Sequence, residues 1–278
     1  MILITIPFWQ DNCAATEQLL EFIFSQNDRV QINGHILLAY PPTVAPDMVA
    51  RIKISAELAF VGVHTLELRP LTDPVAPKWK ACNNAFSQAA THIFKSFRWP
   101  FLWCEPDTVP TAKSWLPRLV TAYGQQPKSY MGPQLKITTA GKPDAFIMAR
   151  CAVYPPHAIQ DVPMVEMPYE IANSGNVLPR LTTSKLIQHT SILNEEDLGK
   201  VRPDAILVHG DKHGFLRRKL EAGLKPVESV IQIPVEPMIQ PQREIVPVNG
   251  ALPKKRGRPS KAEMAARALA AEAMLNGH

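Results

Sequence analysis

Phe101-Leu102-Trp103-Cys104-Glu105-Pro106-Asp107 is the segment on which the fold turns. Four apolar residues run directly into two carboxylates separated by a single proline. A short run that is apolar throughout suits a strand buried inside a sheet, and the acids then stand at its carboxyl end. The same pattern repeats upstream. Residues 1–6 form a β-branched apolar run, and residues 14–25 carry Leu19, Leu20, Phe22 and Ile23 at helical spacing. Residues 35–40 read as a second strand ending at Pro41-Pro42, residues 47–60 as a helix and residues 63–68 as a third strand. Residues 81–97 read as a helix with Ala85, Ala89, Ile93 and Phe97 on one side, closed by Pro100. Apolar strands alternating with helices predict an α/β fold, a mostly parallel central sheet with helices on both faces. Such sheets receive ligands at the carboxyl ends of their strands. The loops at residues 8–12, 41–42, 69–79 and 104–111 are therefore the ones expected to face a ligand.

Downstream the pattern loosens. Residues 115–123 and 216–222 read as helices, while residues 129–136, 145–149 and 205–209 look extended. Residues 182–188 fit either state. From residue 226 to 253 prolines recur every few positions, as in an extended linker, and an alanine-rich stretch near the end could form only a marginal helix. This divides the 278 residues into a domain (1–225), a linker (226–253) and a disordered basic tail (254–278). A hydrophobic content of 46% excludes disorder for the chain as a whole. Residues 251–278 hold six basic and two acidic side chains, a net +4, so the formal charge of +5 leaves only about +1 for the domain. Cys13, Cys82, Cys104 and Cys151 are scattered without a CxxC pair, which argues against structural zinc and for reduced thiols in a cytoplasmic setting. The opening MILITIPFWQ lacks a basic lead and reaches Asp11 after ten residues, so it is read as a strand and not as a signal peptide or membrane span.

In an extended segment residues i and i+2 point the same way, so Glu105 and Asp107 can share one divalent cation, and oxygen ligands suit Mg²⁺ or Mn²⁺. A second segment, Leu207-Val208-His209-Gly210-Asp211-Lys212-His213-Gly214, sets a histidine and a lysine among glycines that permit close phosphate approach. A third, Pro168-Tyr169-Glu170, offers a late carboxylate. With these three segments the chain resembles glycosyltransferases of the GT-A type, the nucleotide-diphospho-sugar transferases, including versions common in phage genomes. The resemblance spans residues 1–222 as architecture and implies a GT-A-like, Rossmann-type sheet. It further implies that Glu105-Pro106-Asp107 is a variant of the family's D-x-D motif, with Mn²⁺ or Mg²⁺ on the donor diphosphate. His209 corresponds to the histidine that completes the metal site, and Lys212 to a contact with the diphosphate of a donor such as a UDP-sugar. Glu170 corresponds to the base that takes the acceptor proton, with Asp161 and Glu166 as rivals. Pro7 and Phe8 follow the strand that holds the nucleotide base, and Arg69, Asp73, Trp79, Lys80 and Asn83 stand where the donor could be touched.

The tail reads Lys254-Lys255-Arg256-Gly257-Arg258-Pro259-Ser260-Lys261 and resembles the AT-hook, whose Arg-Gly-Arg-Pro core lies along the minor groove of A·T-rich DNA. Gly257 lets the backbone approach the groove floor, Arg256 and Arg258 enter its negative potential, and Lys254, Lys255 and Lys261 offset phosphates. Pro259 completes the core. A single copy suits a tether better than a site-selecting module. The expectation is a metal-dependent glycosyltransferase with a nucleotide-sugar donor and a hydroxyl acceptor that the tail suggests is a modified base in DNA. It works in the cytoplasm, the host's if phage-encoded, without a membrane. Two alternatives stay open. One is a non-catalytic DNA-associated protein of the same fold, suggested by Glu105 where the family carries aspartate. The other is a phosphate-ester enzyme using the same carboxylates.

Overall fold

The computed structural model describes residues 1–70, 78–138, 144–161 and 167–223. The first half alternates as its hydrophobic periodicity demands: β1 (Leu3–Pro7), α1 (Cys13–Gln26), β2 (Ile32–Tyr40), α2 (Pro46–Ala59), β3 (Phe60–Glu67), α3 (Lys78–Ser96) and β4 (Phe101–Trp103). Pro46 in the first turn of α2 gives up a donor that would have no helical partner, and Asp47 beside it meets the positive end of the helix. Arg98, at φ 57°, turns the chain out of α3 ahead of Pro100, with its N–H bonded back to the Ile93 carbonyl at 2.8 Å. The second half is made of short pieces: β5 (Thr108–Pro110), α4 (Trp115–Gln125), β6 (Tyr130–Gly132), β7 (Gln134–Ile137), β8 (Ala145–Met148) and β9 (Ala152–Tyr154). It continues with α5 (Ala158–Asp161), α6 (Tyr169–Ala172), α7 (Ser174–Val177), β10 (Leu181–Thr183), β11 (Ile187–His189), β12 (Leu207–His209) and α8 (Phe215–Glu221).

Seven strands form the central sheet in the order β10-β6-β9-β4-β1-β2-β3. The pairs β4–β1, β1–β2, β2–β3 and β10–β6 are parallel, whereas β9 runs antiparallel between β4 and β6. The sheet is thus mixed, mostly parallel with one reversed strand. Alternate residues of β1 and its neighbours explain why both faces are covered. Ile4, Ile6, Ile36 and Leu38 pack under α1, α2 and α4, and Leu3, Leu37, Phe101 and Trp103 pack under α3. Phe101, Leu102 and Trp103 are all but fully buried, each contributing about 1.5–3 kcal/mol or more relative to exposure. A smaller sheet, β11-β12-β5, closes over the carboxyl end of β4, and β7 with β8 makes a separate hairpin.

Several boundaries differ from those read off the sequence, for physical reasons. Phe60 starts β3 and does not end the preceding helix, because its side chain is buried beside Ile32 in the sheet. The extended stretch at 129–136 is two strands in different sheets, broken at Pro133, which has no N–H to continue a ladder. The ambiguous residues 182–188 likewise split between β10 and β11. Strands β5 and β9, three residues each, were too short to announce themselves by periodicity. The proline-rich linker and the basic tail lie outside the described residues.

Candidate metal centre between two cavities

Glu105 and Asp107 sit in the tight turn between β4 and β5, where the Thr108 N–H donates to the Glu105 carbonyl at 2.9 Å. The turn, and not an extended strand, brings both carboxylates to one point. The partner sheet supplies the third group. In β12 His209 stands opposite Thr108 of β5, and Gly210 and Asp211 donate their N–H groups to the Asp107 carbonyl at 3.3 and 3.1 Å. His209 Nε2 lies 3.0 Å from Glu105 Oε2 and 3.2 Å from Asp107 Oδ1. One ligand atom from each of Glu105, Asp107 and His209 falls within 4.8 Å of the others, the one such cluster found among the described residues. Asp107 Oδ1 is buried, with the approach of His209 Nε2 as its one close polar contact among the described residues. Two carboxylates and an imidazole converging on one point fit a hard or borderline divalent cation such as Mn²⁺ or Mg²⁺. Burial works against the charged form of His209, but the Asp107 and Glu105 carboxylates outweigh it and hold its pKa well above the usual histidine value.

Gly210 makes this junction possible. Its φ is 112°, and a Cβ there would stand 2.3 Å from the Thr190 carbonyl oxygen. Gly210→Ala is expected to destabilise the protein by about 1–3 kcal/mol and to displace His209, seen as a lower melting temperature together with weaker Mn²⁺ binding.

Arg150, which no motif marks, ties the site to Glu170. Its Nη1 donates to Glu105 Oε1 at 3.1 Å, and its Nε donates to Glu170 Oε1. Burial would raise the pKa of Glu105, but the Arg150 guanidinium and His209 together hold it well below the carboxylate range. Glu170 lies in the first turn of α6 and is positioned through its neighbours. Asn83 Nδ2 donates to the Met167 carbonyl at 2.8 Å, the Tyr169 N–H donates to Asn83 Oδ1 at 3.2 Å, and the Tyr169 and Tyr154 hydroxyls meet at 3.1 Å. Glu170 Oε2 is buried with no hydrogen-bond partner.

Two cavities meet at Glu105, Asp107, Arg150 and Lys212. One, of about 570 Å³, is walled by Trp9, Asp11, Asn12, Lys78 and Cys82. The other, of about 540 Å³, is walled by Leu135, Ile137, Ile147, Pro168, Glu170 and His189. A third depression, of about 640 Å³ between α1 and α8, gathers no cluster of metal-ligating side chains.

The remaining sequence candidates are distributed as follows. Pro7 ends β1 in the core and Phe8 is fully buried against Tyr40, so the cavity wall at this loop is Trp9, Asp11 and Asn12, and not the Phe8 side chain. Arg69 is exposed and borders neither cavity. Its N–H donates to Gln88 Oε1 at 2.8 Å, and its carbonyl accepts from Asn84 and Gln88. Trp79 is buried, with Lys80 over its ring, and Asn83 holds the Glu170 segment. Asp161 accepts from Tyr130 and Arg180 at 2.8 Å each, away from the cavities. Asp73, Glu166 and the tail residues lie outside the described residues. Sequence reasoning missed Trp9, Arg150 and His189. Only Trp9, inside a loop already singled out, carried a signal that could have found it.

Comparison with solved structures returns similar chains at low identity. The bifunctional glycosyltransferase WbbM matches over 75% of this chain at 12% identity and a TM-score of 0.50, and this chain spans 45% of its length. The galactosyltransferase LgtC, solved with donor and acceptor sugar analogues, matches over 81% of this chain and 97% of its own at 10% identity and a TM-score of 0.47. The synthase of 4-diphosphocytidyl-2C-methyl-D-erythritol matches over 66% of this chain and 86% of its own at 10% identity and a TM-score of 0.43. No family model and no curated protein matches the sequence. The chain has a glycosyltransferase-like α/β fold with a candidate metal-binding cluster at the carboxyl end of its sheet. Among the described residues, no helix is long and apolar enough to cross a membrane.

Proposed function

We propose that this chain is a metal-dependent glycosyltransferase that moves a sugar from a nucleotide-sugar donor, such as a UDP-sugar, to a hydroxyl acceptor. The observation that carries the reading is the convergence of Glu105, Asp107 and His209 where two cavities meet. Those three side chains would hold Mn²⁺ or Mg²⁺, which supplies charge neutralisation for a departing diphosphate. Lys212, on the rim of both cavities, adds a second positive charge for the same leaving group. The cavity beside Trp9 and Lys78 takes the nucleotide end, and the cavity beside Glu170 takes the acceptor. The acceptor oxygen bonds to the anomeric carbon as the bond from that carbon to the diphosphate breaks. The hydroxyl proton passes to Glu170, whose buried Oε2 has no other partner.

The finer reading is that the acceptor is DNA, a hydroxylated base brought within reach by flipping. It draws on the ordered Arg256-Gly257-Arg258-Pro259 core with its basic flanks, and on the division into a domain (1–225), a linker (226–253) and a tail (254–278). Mass spectrometry of nucleosides from DNA incubated with the protein and a panel of nucleotide-sugars tests it. A mass increase of one hexose or similar unit on a nucleoside is expected, and unmodified nucleosides with every donor would overturn the DNA acceptor. Deleting residues 253–278 is expected to weaken DNA association strongly at low salt and to leave metal-dependent UDP-sugar binding unchanged. Loss of donor binding on that deletion would show that the chain is divided elsewhere.

A second reading, a non-catalytic DNA-associated protein, draws on the pairing of Glu105 Oε1 with Arg150, which leaves one oxygen of that residue for a cation. Isothermal titration with UDP-sugars, with and without Mn²⁺, separates the two. Nucleotide binding that ignores Mn²⁺ favours the second.

A further inference from the structure

We propose that His189 is a positioning residue for this cation site, accepting a hydrogen bond from His209 Nδ1 and so aiming His209 Nε2 at Glu105 and Asp107. The proposal rests on the metal-dependent reading above and extends it to a residue outside the three ligands.

The geometry begins in the backbone. β11 and β12 pair in parallel with His189 directly opposite His209, and residues so paired project their side chains on the same face. Beyond the pair, the Thr190 N–H donates to the His209 carbonyl and the Ile192 N–H to the Gly210 carbonyl, each at 3.0 Å, so the strand ends cannot drift apart. The two Nδ1 atoms are 2.7 Å apart, and the ring centroids are 4.7 Å apart. One of the two nitrogens must therefore carry the proton. A neutral imidazole that ligates through Nε2 keeps its proton on Nδ1. His209 is then the donor, His189 Nδ1 is the acceptor, and His189 carries its own proton on Nε2. The hydrogen bond fixes both the tautomer and the ring orientation of His209, as partners of metal-bound imidazoles do elsewhere. His189 itself is exposed on the wall of the Glu170 cavity, so it is not there to fill the core.

The test compares Mn²⁺ affinity of the full chain by electron paramagnetic resonance for the wild type, His189→Phe and His189→Asn. Phenylalanine keeps a ring but offers no acceptor, and asparagine places an oxygen near the position of Nδ1. Affinity is expected to fall about 10-fold or more in His189→Phe and to stay within about threefold of wild type in His189→Asn. Equal affinity in wild type and His189→Phe would overturn the positioning role and leave the metal site standing. Equal losses in both variants would also overturn it, by assigning the effect to packing. A wild type that binds no Mn²⁺ would remove the metal site and this inference together. A measurement without substitution closes the argument: ¹⁵N-histidine NMR of the Mg²⁺-saturated wild type should show His209 protonated on Nδ1 and His189 on Nε2. His189 protonated on Nδ1 would sink the proposal.

Discussion

Asp107→Ala should abolish sugar transfer, a fall on the order of 10³-fold or more, while the protein remains folded. The side chain lies in a turn held by backbone bonds from Thr108, Gly210 and Asp211, none of which needs the carboxylate. Its buried Oδ1 faces His209 Nε2 at 3.2 Å, and Glu105 Oε2, at 3.0 Å from the same nitrogen, still faces it once the Asp107 carboxylate is gone. What disappears is one of three converging ligand groups and half of the negative charge facing His209 Nε2. The measurement is donor turnover, with Mn²⁺ affinity and melting temperature taken on the same sample. Transfer retained at more than a tenth of wild type would exclude Asp107 from the reaction. Lost transfer with unchanged Mn²⁺ affinity would move the cation elsewhere.

Arg150→Met should be the most destabilising single change at the site. The guanidinium pairs with Glu105 and Glu170 at once, and side-chain exposures of 14%, 24% and 9% for Arg150, Glu105 and Glu170 leave little water to replace it. Removing the shared cation strips Glu170 of its guanidinium and leaves Glu105 with its His209 contact, and breaking a buried pair costs about 3–5 kcal/mol. For a domain of this size that corresponds to a melting temperature lower by roughly 10 °C. Adding Glu170→Gln to the variant removes one stranded charge and should recover part of the loss. A double-mutant cycle between Arg150→Met and Glu170→Gln measures the coupling, and additivity within about 0.5 kcal/mol would show that the pair contributes nothing as a unit. The same arginine explains how Glu170, remote in sequence from Glu105, arrives at one site with it.

The two halves of the chain were unequally legible. In β1, β2, α1 and α3 the apolar spacing is long enough to declare its period, and the parallel sheet with two covered faces follows from it. Glu105 and Asp107 were legible for a related reason, since acids directly after an apolar strand must leave the core at the ligand-binding edge. His209 could be tied to them only through a resemblance, because no local pattern links β12 to the β4–β5 turn. Arg150 and His189 left no mark in the sequence. Each follows a short strand, or ends one, and acquires its role from a neighbour: His209 across a ladder for His189, Glu105 and Glu170 across the sheet edge for Arg150. Phe8 shows the converse. Its place beside the ligand edge was readable, yet the direction of its side chain, into Tyr40 and away from the cavity, depends on the packing of β1 against β2. Periodicity reports which face of an element is apolar and therefore where the sheet lies. A site is a meeting of side chains from separate elements, and only the register and packing of those elements fix which of them meet.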